Sequence, residues 1–246
     1  METASYVALS RLTAQQRALD VTATNIANAD TPGFQAGRVL FSDWLSRQRG
    51  TDAPPGGRVV AYTQDRATYR DRQAGALQHT GNPLDLALSG EGYFTVETKA
   101  GTRLTRAGRF SPLADGTLAD AEGNAVLDAA GQRLRLSPAD TRITVSADGT
   151  VSSENGQIGR VAVVAPSDPY RVHAEGGRLL RAEGATTPVA APKVVQGAVE
   201  GSNVQPVVET TRMMAALREF QFAAQFVQGE ADRRQKAIDK LTQRRA

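Results

Sequence analysis

Toward the C-terminus, Met213, Leu217, Phe220, Ala224, Val227, Ala231, Arg234, Ile238 and Leu241 follow one another in alternating steps of four and three. That spacing places successive residues on one stripe of an α-helix, and a stripe kept this long marks a helix that packs against other helices. The N-terminal stretch repeats the design. Leu9, Leu12, Gln16, Leu19, Ala23 and Ile26 recur in three-four steps through a run from Ser5 to Asn28 that holds no Gly or Pro. This first helix stops at Asn28-Ala29-Asp30-Thr31-Pro32-Gly33: proline disfavours helix in the residue before it and glycine accepts a positive φ, so the chain turns before Phe34. Pro206 suits the first turn of the second helix, and Glu209 complements the positive end of its dipole. Gly229 inside that helix costs about 1 kcal/mol relative to alanine, so its rigidity depends on packing.

Between the helices the period changes. Leu84 to Leu88 alternate, and Tyr93 to Val96, Ile143 to Val145 and Val161 to Val164 read as strands. Asp115-Gly116 and Asp148-Gly149 supply the positive-φ turns of hairpins, and Glu122-Gly123-Asn124 and Ala130-Gly131 add turns before the strand candidates Ala125–Leu127 and Arg133–Leu136. The stretches Thr51–Arg58 and Ala182–Gly197 read as linkers. The expected fold class is therefore α+β, with an all-β centre. Residues 1–35 and 202–246 form a discontinuous coiled-coil module, 36–75 an extended or irregular connection, and 76–201 a central β-domain with its return linker. Two helices offer too little core to stand alone, so apolar surface left on their outer faces is expected to be covered by neighbouring subunits; a head-to-tail contact of that kind generates a filament.

Composition narrows the function. No cysteine is present, which removes disulfides, thiolate metal sites and a cysteine nucleophile. No run approaches the roughly 18 apolar residues of a membrane span. The net charge is +3, and the basic cluster Arg233, Arg234, Lys236, Lys240, Arg244 and Arg245 is interleaved with Glu230, Asp232 and Asp239, as on a solvated helix face. Neither nucleic acid nor membrane insertion is expected.

No catalytic residue stands out. His79 and His173 lack the spacing of a metal helix. Gly90-Glu91-Gly92 lacks the third glycine, the Lys-Ser/Thr pair and the following helix of a phosphate loop. Asp115 and Asp148 sit at turns, and nothing pairs Asp120 with Asp128 as a hydrolytic dyad. No metal, cofactor or small-molecule substrate is expected.

The segment Thr24-Asn25-Ile26-Ala27-Asn28-Ala29-Asp30-Thr31-Pro32-Gly33-Phe34 resembles the N-terminal signature of bacterial flagellar rod and hook proteins, and Val199-Glu200-Gly201-Ser202-Asn203-Val204 ahead of a heptad helix resembles the matching C-terminal motif. Thr80 to Asp85, Gly90 to Phe94 and Thr105 to Phe110 resemble that family's central β-domain. The length and motifs are most like the proximal rod subunit, with the distal rod subunit as the alternative. The resemblance implies a structural, non-enzymatic subunit of the flagellar basal body in the periplasm, serving motility. It implies export by the flagellar type III apparatus without a cleaved signal, helical polymerisation into a drive shaft around the export channel, and partners in itself, other rod subunits and the export apparatus. Asn25, Asn28, Pro32, Gly33, Phe34, Ser202, Asn203 and Val204 carry the family motif, and Leu9, Leu12, Leu19, Ile26, Leu217, Phe220, Val227, Ile238 and Leu241 are the expected assembly residues. A cell-wall hydrolase with coiled-coil anchors would need two close carboxylates or a metal, and a basic nucleic-acid-binding coiled coil would show salt-sensitive association with any DNA.

Overall fold

The computed structural model describes residues 2–48, 58–168, 170–176 and 178–243; the side chains of 2–6, 41–48, 58–67 and 241–243 fall outside that description. Two compact units are present, each built from separated pieces of chain: unit 1 from residues 1–26, 37–70 and 205–246, and unit 2 from residues 27–36 and 71–204.

Unit 1 holds two helices, α1 (Glu2–Ala27) and α2 (Pro206–Gln243), with two long strands, β1 (Gly37–Gln48) and β2 (Arg58–Arg70). The helices run antiparallel. Asn25 near the end of α1 meets Glu209 in the first turn of α2, and Gln15, ten residues back along α1, meets Glu219, ten residues on along α2. The strands pair antiparallel from Gly37 opposite Arg70 to Gln48 opposite Arg58, with a bulge between Leu40 and Phe41. Over 36–75 the expectation is an extended or irregular connection, and the two strands there are extended but paired into a ladder. Val39, Val59, Val60, Tyr62 and Tyr69 supply the β-branched and aromatic residues that favour a pleated ladder. Most of the expected linker Thr51–Arg58 lies outside the described residues, and Arg58 itself opens β2.

The face that α1 turns inward is not its heptad stripe. Ala14, Thr22 and Asn25 are buried, while Leu9 is 58% exposed and Leu12, Leu19 and Ile26 are half-buried. At about 100° per residue the two faces are centred more than a third of a turn apart. Along α2, Met213, Phe220, Ala224, Val227 and Arg234 are half-buried, Leu217 and Ile238 are exposed, and the Leu241 side chain lies outside the described residues.

Unit 2 is β-rich, as the alternating pattern predicts. Its largest sheet orders Val172–Glu175, Leu179–Ala182, Gly101–Thr105, Tyr93–Thr98, Ala125–Val126, Leu118–Ala119 and Ser111–Pro112 side by side, with Val163–Pro166 and Thr186–Pro188 attached. A three-stranded sheet (Thr144–Val145, Thr150–Ser153, Gly156–Arg160) turns at Asp148-Gly149, and Asp115-Gly116 reverses Ser111–Pro112 into Leu118–Ala119. The stretch read as a return linker, Ala182–Gly197, contains the strands Thr186–Pro188 and Val194–Gln196. Arg133–Leu136 makes only isolated bridges, although Leu134 and Leu136 are buried. The core gathers Leu86, Leu88, Phe94, Val96, Phe110, Leu118, Val126, Leu134, Val151, Val161, Val163 and Val194, with Phe94 meeting Phe110 edge to face at 5.4 Å. Burying side chains of this size contributes about 1.5–3 kcal/mol apiece before chain entropy is set against it, so unit 2 carries a core of its own.

Candidate functional site

The motif residues converge on two polar knots, one in each unit. In unit 2 the turn after α1 begins with Thr31, whose N–H donates to the Asn28 carbonyl (3.2 Å) and whose hydroxyl donates to Asn28 Oδ1 (3.2 Å). Pro32 is half-buried, and Gly33 adopts φ +72°. A Cβ at Gly33 would lie 2.2 Å from the Ala107 backbone nitrogen, so glycine is demanded there by both conformation and space. The Gly33 N–H donates to the Glu200 carbonyl at 2.8 Å, which fastens the N-terminal motif to the C-terminal one. Phe34, 1% exposed, packs with Ala36 and Val204.

Asn203 holds this knot from the other side. Its Oδ1 accepts from the Ala36 N–H (2.7 Å), and its Nδ2 donates to the Asp71 and Gln73 carbonyls (2.9 Å each). All three bonds satisfy backbone groups that no ladder pairs. Ser202 contributes its hydroxyl as acceptor for the Val204 N–H (3.2 Å). Beneath them Arg106 donates to Glu200 Oε2 (2.8 Å) and to the Gly90 carbonyl (2.7 Å), and its guanidinium stacks 5.3 Å from the Tyr93 ring centre. Glu200 Oε1 accepts a second bond from the Gly75 N–H (3.0 Å), so both oxygens of the buried carboxylate are engaged.

In unit 1 the knot centres on Asn25, 1% exposed. Its Oδ1 accepts from the Gly37 N–H (2.8 Å), and its Nδ2 donates to the Gly37 carbonyl and to Glu209 Oε2 (3.0 Å each). Glu209 Oε1 accepts from Arg38 and Arg212, each at 2.6 Å. Burial pushes the Glu209 carboxyl up, but hydrogen bonds from Arg38 and Asn25, with the charges of Arg38 and Arg212, outweigh it and hold the group below the usual carboxylate range.

Sequence reading found the asparagines, and placed Glu209 at a helix dipole and Glu200 in the C-terminal motif, but missed that each of these acids is the buried anion of its knot. Glu209 stands four residues before Met213, in phase with the α2 stripe, and a carboxylate in a buried phase signals a paired charge. Glu200 carried the same signal as the one acid in Ala198-Val199-Glu200, a strand buried along its length. The histidines remain apart: His79 is exposed on Leu77–His79, and His173 pairs with Glu183 at 3.2 Å. Among the described residues no group of three His, Asp or Glu could hold a metal ion, and no helix is long and apolar enough to cross a membrane. Nothing in either knot aligns a nucleophile with a base. Both arrangements organise backbone.

Comparison with known proteins agrees along the chain. Residues 6–35 match the flagella basal body rod protein family, 87–153 the flagellar hook protein FlgE/F/G D1 domain, and 195–240 the flagellar basal body rod FlgEFG protein C-terminal region. The chain is 34% identical to the flagellar basal-body rod protein FlgF of Caulobacter vibrioides and 36% identical to that of Mesorhizobium japonicum, each over 98% of both chains. It is 32% identical to the rod protein FlgG of Bacillus subtilis over 88% of this chain and 90% of that one.

Proposed function

This chain belongs to the flagellar basal-body rod protein family, as a FlgF-like structural subunit of the rod, and we propose that it is the proximal rod subunit, polymerising helically through its terminal helices. The observation that carries this reading is the imbalance between the units. Among the side chains described, Ala14 is the one apolar side chain of unit 1 that is buried, whereas ten of the thirteen exposed large hydrophobics belong to that unit, including Leu9, Leu217, Phe222, Phe226 and Ile238. Apolar surface on this scale is what a partner covers: Leu9, Leu217 and Ile238 lie on the heptad stripes, whose spacing neighbouring helices fit, and Phe222 and Phe226 add a second apolar strip on the other side of α2. The FlgF relatives of Caulobacter vibrioides and Mesorhizobium japonicum are 34% and 36% identical over 98% of the chain, against 32%, 29% and 30% over 88%, 90% and 95% for three FlgG relatives, which supports the proximal over the distal position.

On this reading the rod is the drive shaft and encloses the export channel, and the subunit reaches the periplasm through the flagellar type III apparatus without a cleaved signal. Its partners are copies of itself, other rod subunits and the export apparatus, and it has no catalytic role. Unit 1 suits such a route. Helices that hold little apolar core within one chain gain most of their stability at the growing end of a polymer. Leu217→Glu tests the proposal in flagellated cells lacking the native copy. It should remove the chain from isolated basal bodies and stop swimming, whereas Leu113→Glu, on an exposed residue of unit 2, should leave both intact. Incorporation of Leu217→Glu at the parent level would contradict it.

A further inference from the structure

Helix α2 is 38 residues long, yet among its described residues Glu209 alone is buried, at 1% exposure. The contact that keeps α2 in its own chain is therefore polar. Farther along, Glu219 meets Gln15 (2.5 Å) and Arg11 (3.7 Å), but both charged side chains are more than half exposed, and pairs of that kind contribute little. Met213, Phe220 and Val227 reach only half-burial. The Glu209 cluster is of another order: one carboxylate joins three separated pieces of chain, through Asn25 of α1, Arg38 of β1 and Arg212 of α2 itself, and Asn25 in turn holds both backbone groups of Gly37.

We propose that this cluster is a latch, which fastens the root of α2 to the end of α1 and the start of β1 in a fixed register while the body of the helix opens and closes locally. A buried charge cluster selects register because any slip leaves Glu209 or Arg38 without its partner in a low-dielectric site, a penalty that apolar contacts do not impose. The consequence rests on the reading of the chain as a rod subunit. The apolar face of α2 is offered to a neighbour from a root that is already set, so addition of a subunit needs no rearrangement of the fold around Gly37. A helix held at one end frays toward the other, because each turn depends on the one before it and gains little from tertiary packing.

Hydrogen exchange on the full-length monomer tests the latch without any need for polymer, so its outcome is separable from that of the rod assignment. In the parent chain, protection should be highest around Glu209–Arg212 and fall steadily toward Lys240. Glu209→Gln should raise exchange about tenfold or more in peptides covering the last turns of α1, the first residues of β1 and the first turns of α2, since hydrogen bonds to a charged group are lost. Peptides covering Tyr93–Thr98 and Leu118–Val126 should exchange as in the parent, which shows that the variant folds. Arg38→Lys, which keeps the charge but not the planar guanidinium, should give a smaller rise at the same places, and Phe226→Ala should give none. Uniform protection along α2, or Phe226→Ala loosening the root as much as Glu209→Gln, would overturn the latch.

Discussion

Gly33→Ala is the substitution whose cost the structure defines most closely. An alanine at φ +72° sits in the left-handed region, which costs an L-residue roughly 1–2 kcal/mol. Its Cβ would lie 2.2 Å from the Ala107 nitrogen and 2.3 Å from the Arg106 carbonyl carbon. Both are backbone atoms, so no side chain can swing aside. Relief requires parting two stretches of main chain and weakening the 2.8 Å bond from the Gly33 N–H to the Glu200 carbonyl, worth about 1 kcal/mol. Together these give a destabilisation of about 3 kcal/mol, which for a chain of this size lowers the midpoint of thermal unfolding by roughly 6–12 °C. Thermal unfolding followed by circular dichroism, with hydrogen exchange at Tyr93–Thr98 to assign the loss to unit 2, reads the effect. A midpoint within about 1 °C of the parent would refute the reasoning, for it would mean that the turn tolerates a Cβ.

Other substitutions and conditions separate the remaining contributions. Gly229→Ala should have the opposite sign, stabilising α2 by up to about 1 kcal/mol, because nothing lies within 4 Å of the added Cβ; helicity by circular dichroism checks it. Arg106→Met leaves the Glu200 carboxylate buried without its cation and should cost roughly 3–5 kcal/mol in urea unfolding, while adding Glu200→Gln should recover part of the loss. Glu154 accepts from the Thr141 hydroxyl and from the Thr141 and Arg142 N–H groups, and these bonds hold its pKa down to about 2 from 4.5. The folded value is the lower one, so this contribution is fully present above pH 4.5 and is lost as pH falls toward 2; the protection of the Thr141 and Arg142 amides relative to their intrinsic exchange rates, followed by NMR, should fall across that window.

The elements were legible where a local rule acts alone. The extent of both helices follows from the run without Gly or Pro before Asn28 and from the start at Pro206, and the hairpins at Asp115-Gly116 and Asp148-Gly149 follow from turn chemistry. The strands of residues 37–70 were not legible, because nine residues, 49–57, separate them in the sequence in place of the roughly two to five that signal a hairpin. The inward face of α1 was missed for a different reason. Periodicity ranks residues by hydropathy, and in this chain Ala14, Thr22 and Asn25 are buried ahead of the leucines, because Asn25 is pulled in by the unpaired backbone of Gly37. At the site, the amides of Asn25 and Asn203 were visible as motif residues, but their tasks were not. Their partners lie 12 residues and more away along the chain, a pairing that only the fold brings about.

Photocrosslinking in flagellated cells, with a photoreactive residue at Leu217 of α2 and separately at Leu9 of α1, probes the assembly reading at apolar residues that the single chain leaves exposed on the two stripes. Capture of other copies of this chain and of other rod subunits from both positions is the predicted result. Crosslinks confined within one chain, in cells whose basal bodies contain the protein, would contradict polymerisation through the terminal helices.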